Sequence, residues 1–215
     1  MSERRASLGE EIANSVTHGI GTALSIAATA VAIVWAALYG NAYGVVSASV
    51  YGATLIILYL MSTLYHAFTG KTVKRVFRIF DHCSIFLLIA GTYTPLALVT
   101  LSGALGWTIF GIIWGFAVLG IVLNSISLEK FKLFSMICYL AMGWMIIIAT
   151  KTVIGKIGFY PAFFLLLVGG IFYTIGAVFY KMKHIKFMHS IWHLFVLAGS
   201  IFHYFCILFY VLPIK

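Results

Sequence analysis

Seven long apolar stretches, separated by short polar breaks, organise this sequence. They run roughly over Thr17–Tyr39, Tyr43–Phe68, Ile79–Leu101, Leu105–Ser125, Leu133–Thr150, Ile157–Tyr180 and Phe187–Leu212. Each is close to the length an α-helix needs to cross a bilayer, about 20 residues. The pattern therefore predicts seven membrane-spanning helices in one bundle. The breaks carry turn-forming residues: Gly40-Asn41, Ser102-Gly103 and Gly155-Lys156-Ile157-Gly158. The fifth stretch is short and flanked by Lys132 and Lys151. Pro95 lies inside the third, after Gly91-Thr92-Tyr93-Thr94, and is expected to kink it. No internal repeat, low-complexity segment or linker interrupts the pattern, so residues 1–215 read as a single domain.

The polar positions that break into these stretches fall in register. The second span ends in Ser62-Thr63-Leu64-Tyr65-His66. The third starts with Asp81-His82, expected in its first turn, and the seventh starts with His189 and His193. Glu11, Asn14 and His18 lie at the mouth of the first. Alternate helices run in opposite directions, so all of these gather at one end of the bundle. Ionisable side chains at membrane depth are costly and usually mark function.

Composition confirms the class. The chain has 215 residues, 63% hydrophobic and only 9% charged. That excludes an ordinary soluble domain and leaves an all-α, polytopic membrane protein. Three cysteines, Cys83, Cys138 and Cys206, all fall within apolar spans, so no disulfide framework is implied. No cleavable leader is evident, since the first apolar run follows a polar stretch and is long enough to span. The net charge of +9 comes from basic residues in short breaks, which read as topology signals and contacts to membrane lipids, not as a nucleic-acid surface. Eleven Lys and Arg (Arg4, Arg5, Lys71, Lys74, Arg75, Arg78, Lys130, Lys132, Lys181, Lys183 and Lys186) fall on the side of the N-terminus. Three (Lys151, Lys156 and Lys215) fall on the other. This bias predicts the N-terminus inside and the C-terminus outside.

The candidate chemistry sits at that inner end. His189 and His193 are four residues apart, as are Ser62 and His66, so each pair shares a helix face. Three imidazoles from two helices, with one position left for water, fit a catalytic zinc. Asp81 is placed as the acceptor of the water's proton or as a support for a ligand, and Ser62 as the group that holds the water or a substrate carbonyl. The plainer reading of any one intramembrane histidine is an interhelical hydrogen bond, and H-x-x-x-H alone is a weak signal. The convergence of four helices is what favours metal. His203, ten residues beyond His193 and about 15 Å along the helix, is a polar contact inside the bundle. His82 reads as structural, His184 as solvated, and Lys71 to Arg78 as a loop facing headgroups.

Taken together, these residues resemble a known motif set. Glu11-x-x-Asn14-x-x-Thr17-His18, Ser62-x-x-x-His66, Phe80-Asp81-His82, Gly91-Thr92-Tyr93-Thr94-Pro95 and His189-Ser190-Ile191-Trp192-His193 are similar to those of the hemolysin III family. That family is the bacterial branch of the progestin and adipoQ receptor proteins, which include the adiponectin receptors. The resemblance implies a zinc ion near the inner leaflet held by His66, His189 and His193, with Asp81 and Ser62 beside its water. It also implies a bacterial cytoplasmic membrane, and kinship with alkaline ceramidases, which cut lipid amides.

Three functions compete. The first is a zinc-dependent hydrolase of an acyl-lipid amide or ester. The second is a sensor of membrane state with structural zinc. The third is a transporter or hemolysin-like cytolytic pore, against which stands the lack of charge through the outer half of the spans.

Overall fold

The computed structural model describes residues 6–182 and 184–213, all of them helix and short connection. Arg4, Arg5, Lys183 and Lys215 of the charge count lie outside the described residues. Seven helices follow one another: α1 (Leu8–Tyr39), α2 (Ala42–Ala67), α3 (Lys71–Leu101), α4 (Gly103–Ile126), α5 (Leu128–Ile157), α6 (Phe159–Lys181) and α7 (Met188–Val211). All seven are long and apolar enough to cross a membrane.

Two starts differ from the sequence reading, for local reasons. α1 begins at Leu8, not Thr17, because Ser7 and Glu10 form a capping box. The backbone N–H of Ser7 donates to the Glu10 carboxylate at 2.9 Å, and that of Glu10 to the Ser7 hydroxyl at 3.4 Å. The polar tail is therefore the first turn of the helix. α3 begins at Lys71, not Ile79. The segment from Lys71 to Arg78 is helix rather than loop, and Asp81 lies in its third turn rather than its first. Ion pairs from Lys74 to Glu11 (2.8 Å) and Arg78 to Glu129 (2.6 Å) tie this cationic turn to α1 and α5.

Three interruptions shape the spans. After Pro95, which has no N–H to give the α ladder, α3 widens into a π-helical turn over Leu96–Leu101. α5 breaks between Gly143 and Ile146. Tyr93 staples that break: its hydroxyl donates to Gly143 O at 3.0 Å and accepts from Ile146 N at 2.8 Å. The Gly91–Pro95 motif thus works on a neighbouring helix as well as its own. Gly158, at φ 81°, reverses the chain between α5 and α6 as only glycine does without strain.

The core falls into two groups. One joins α3, α4 and α5 around Phe86, Ile113, Met142 and Val153. The other joins α1, α2 and α7 around Ala36, Tyr51, Tyr59, Val196 and Ile207. α1 sits on the rim. Ile12, Val16, Ile20 and Leu24, spaced four apart, each expose more than half of their surface, as a lipid-facing stripe does. Its inner face lies close on α2, where a Cβ on Gly21 would stand 2.5 Å from the Tyr59 ring.

Candidate metal centre

The last turn of α2 and the first two turns of α7 bring His66, His189 and His193 together. One nitrogen of each lies within 4.8 Å of the other two, and this group can hold a metal ion. His66 and His193 are buried and His189 is half-buried. The ring centroids stand 5.2 Å (66–189), 5.1 Å (66–193) and 4.7 Å (189–193) apart.

α1 supplies no member of the group, yet it orients two of them. The Glu11 carboxylate accepts from Nδ1 of His66 at 2.7 Å, while its other oxygen holds Lys74 at 2.8 Å. The backbone carbonyl of Asn14 accepts from Nδ1 of His193 at 3.2 Å, and the Thr17 hydroxyl lies 3.4 Å from the same nitrogen. Carboxylate and carbonyl oxygens only accept, so both Nδ1 atoms carry the proton and both Nε2 lone pairs are left for a ligand. Nε2 of His66 is buried and has no hydrogen-bond partner among the described residues. A buried acceptor in that state fits a metal ligand. Asn14 knits the layer further, accepting from Ser190 Oγ on its side-chain oxygen at 2.5 Å.

Among the other sequence candidates, Ser62 is buried one turn before His66, and its Oγ also lacks a partner among the described residues. His18 is buried and stacks on His193 with ring centroids 3.6 Å apart. Asp81 is outside the three-histidine group; its carboxylate stands 3.6 Å from Nδ1 of His82. The residues read as structural behave so. His203 Nε2 donates to Leu166 O at 3.0 Å, and His82 bonds Arg78 O at 2.9 Å and the Tyr180 hydroxyl at 3.2 Å. His184 is exposed, and Cys83 faces Ile121 and Ser125 on α4.

The centre lies between two spaces. A cleft lined by Glu11, Ser15, His66, Phe68 and Lys74 reaches it from the α1–α2 side. On the far side, an apolar cavity runs between α3, α5, α6 and α7 past Ile85, Leu88, Leu140 and Val196 to His203. His82, Asn124, Ser135 and Tyr139 line this cavity too, at the end nearer the triad. Tyr180 and Trp192 form the wall between cavity and centre: the Tyr180 ring is 5.8 Å from His189 and 5.7 Å from Trp192.

Sequence reading missed two supports. Lys74, read as part of a loop, anchors Glu11. Glu10 accepts from the backbone N–H of Phe187 at 2.9 Å and so fixes the entry to α7. The Ser7-x-x-Glu10 spacing signalled a helix start there, but not its tie to α7.

Removing the Glu11 carboxylate should weaken metal binding without removing a ligand. Glu11→Ala is expected to lower affinity about 10- to 100-fold, read by competition with a chromogenic chelator. Wild-type affinity in that variant would show that the carboxylate does not govern His66.

The sequence profile described as Haemolysin-III related matches residues 6–204. Hemolysin-3 of Bacillus cereus is 49% identical over 204 residues, covering 95% of this chain and 93% of that protein. The Hemolysin-3 homolog of Bacillus subtilis (strain 168) is 48% identical over 201 residues, covering 94% of each. Monocyte to macrophage differentiation factor of Homo sapiens is 29% identical over 204 residues, covering 92% of this chain and 83% of that protein. No solved structure matches the chain.

Proposed function

The chain belongs to the haemolysin III family, and on that premise we propose that it is a zinc-dependent hydrolase of a lipid amide or ester. The observation that carries the reading is the position of the three histidines between a cleft that carries the charged pair Glu11 and Lys74 and an apolar cavity. Hydrolysis needs water and an acyl chain to meet at one place, and the reading assigns the cleft to the water and the cavity to the chain.

Zinc is the metal proposed because the donor set is three imidazoles with no Met or Cys among them. A zinc ion so held supplies Lewis-acid activation at its open position. The chain's own residues do the rest. Glu11 and the Asn14 carbonyl fix the orientation of His66 and His193. Ser62 holds water or the substrate carbonyl, and Asp81 takes up a proton. The cavity beyond Tyr180 and Trp192 receives the acyl chain. Metal-loaded protein should hydrolyse a lipid presented in vesicles. The failure of wild-type protein on ceramides, N-acyl amides and phospholipids alike would overturn the proposal.

The site is proposed to face the cytoplasm, at the inner leaflet of a bacterial cytoplasmic membrane. Reporter fusions within residues 184–187 should score inside and fusions at the C-terminus outside, following the 11-to-3 charge bias. An external signal from residues 184–187 would reverse the orientation. The name Hemolysin-3 carried by the two Bacillus relatives favours a second reading, a cytolytic protein. That reading requires conductance from purified protein in planar bilayers.

A further inference from the structure

His18 is the one histidine of the layer whose chemistry is unaccounted for. It lies one turn beyond Asn14 on the same face of α1, and only 3% of its surface is exposed. Neither Nδ1 nor Nε2 makes a well-formed hydrogen bond among the described residues, and the ring's polar contact is limited to the backbone of His193. Its ring lies flat on His193, with 3.6 Å between centroids and 12° between planes. The Tyr59 ring meets it edge-on at 5.0 Å. A phenylalanine would fill this space and stack as well. A neutral imidazole brings a donor and an acceptor that folded proteins rarely bury unpaired.

A second orphan stands nearby. Ser62 is 1% exposed, and its Oγ lacks a partner among the described residues. It sits on α2 three residues after Tyr59 and four before His66, so all three share a face. His18 touches Tyr59 directly and meets the triad through His193. It is not itself in the group of nitrogens within 4.8 Å of one another. Stacking places its ring in a layer parallel to His193, beside the triad rather than aimed with it. Buried polar groups left unpaired by the protein are commonly satisfied by an ordered water that bridges them.

Resting on the metal reading of the triad, we propose that His18 and Ser62 together hold a water molecule beside the open metal position. His18 is the positioning residue that aims it. The role is distinct from that of Glu11 and Asn14, which aim ligands.

Cobalt(II) and azide test this without reliance on turnover. His18→Phe keeps the stack on His193 and removes both nitrogens. His18→Gln restores a donor and an acceptor. In purified, metal-free protein reloaded with cobalt, His18→Phe should bind as much metal as wild type, with a shifted visible absorption band. Azide, which must displace the held water, should bind it about tenfold more tightly than wild type. His18→Gln should return both readings toward wild type. An unshifted band and unchanged azide affinity at full cobalt loading would overturn the proposal. So would loss of cobalt from His18→Phe at full helical content, which would make His18 a ligand instead. Wild-type protein that takes up no cobalt would overturn the triad reading itself, an outcome visible before any variant is compared.

Discussion

Replacing any one of His66, His189 and His193 with alanine should drop the metal content of the purified protein from about one ion per chain to a small fraction of that. Zinc sites built on protein ligands bind with an apparent 10–16 kcal/mol or so, and the three imidazoles share that energy. Losing one removes roughly a third, about 3–5 kcal/mol, or more than a hundredfold in affinity. His203→Ala is the control. That residue bonds Leu166 O at 3.0 Å, far along α7 from His193, and its loss should leave the metal in place. Elemental analysis of protein never exposed to chelator decides the matter. Equal loss of metal in His203→Ala would move the site; no metal in wild type would remove it.

The second large effect concerns Asp81. Asp81→Asn should keep metal content and thermal stability while lowering lipid hydrolysis about 10²- to 10⁴-fold, the usual scale for one proton-transferring group. The structure offers a competing role. Its carboxylate stands 3.6 Å from His82 Nδ1, and His82 in turn bonds the Tyr180 hydroxyl at 3.2 Å. If Asp81 only steadies that chain, Asp81→Asn loses thermal stability and keeps turnover. Metal content, melting temperature and hydrolysis measured on one preparation separate the two. Full turnover by Asp81→Asn would leave a sensor with structural metal as the better reading.

The legible part of this protein was whatever lipid dictates. Seven apolar runs became seven helices, because length and composition decide that largely alone. The pairing of His66 with His189 and His193 was equally legible, since helix direction and four-residue spacing determine which end each side chain reaches. Helix starts were not. Lys71, Lys74, Arg75 and Arg78 read as a loop by hydropathy, yet they form two helical turns whose cations reach Glu11 and Glu129. Whether a charged turn is helix or loop depends on partners distant in sequence. The cavity was invisible for a related reason. Leu88, Leu140 and Val196 look like any core residue, and only the spacing of the helices shows that they line a space. The hold of the Asn14 carbonyl on His193 involves a backbone atom, which leaves no trace in residue type.

The chain order of the centre bears on how the protein is made. His66 and its Glu11 support are in place once α2 has formed, whereas His189 and His193 belong to the last helix. Four helices, α3 to α6, must be synthesised in between, which takes on the order of ten seconds at ordinary ribosomal rates. No metal site exists during that interval. The group that can hold a metal is therefore complete only once α7 is made, and a chain that stalls before α7 lacks two of its three imidazoles. Until then the half-buried Glu11 carboxylate and His66 await two further imidazoles, and docking of the final helix is the event that completes the group able to hold a metal.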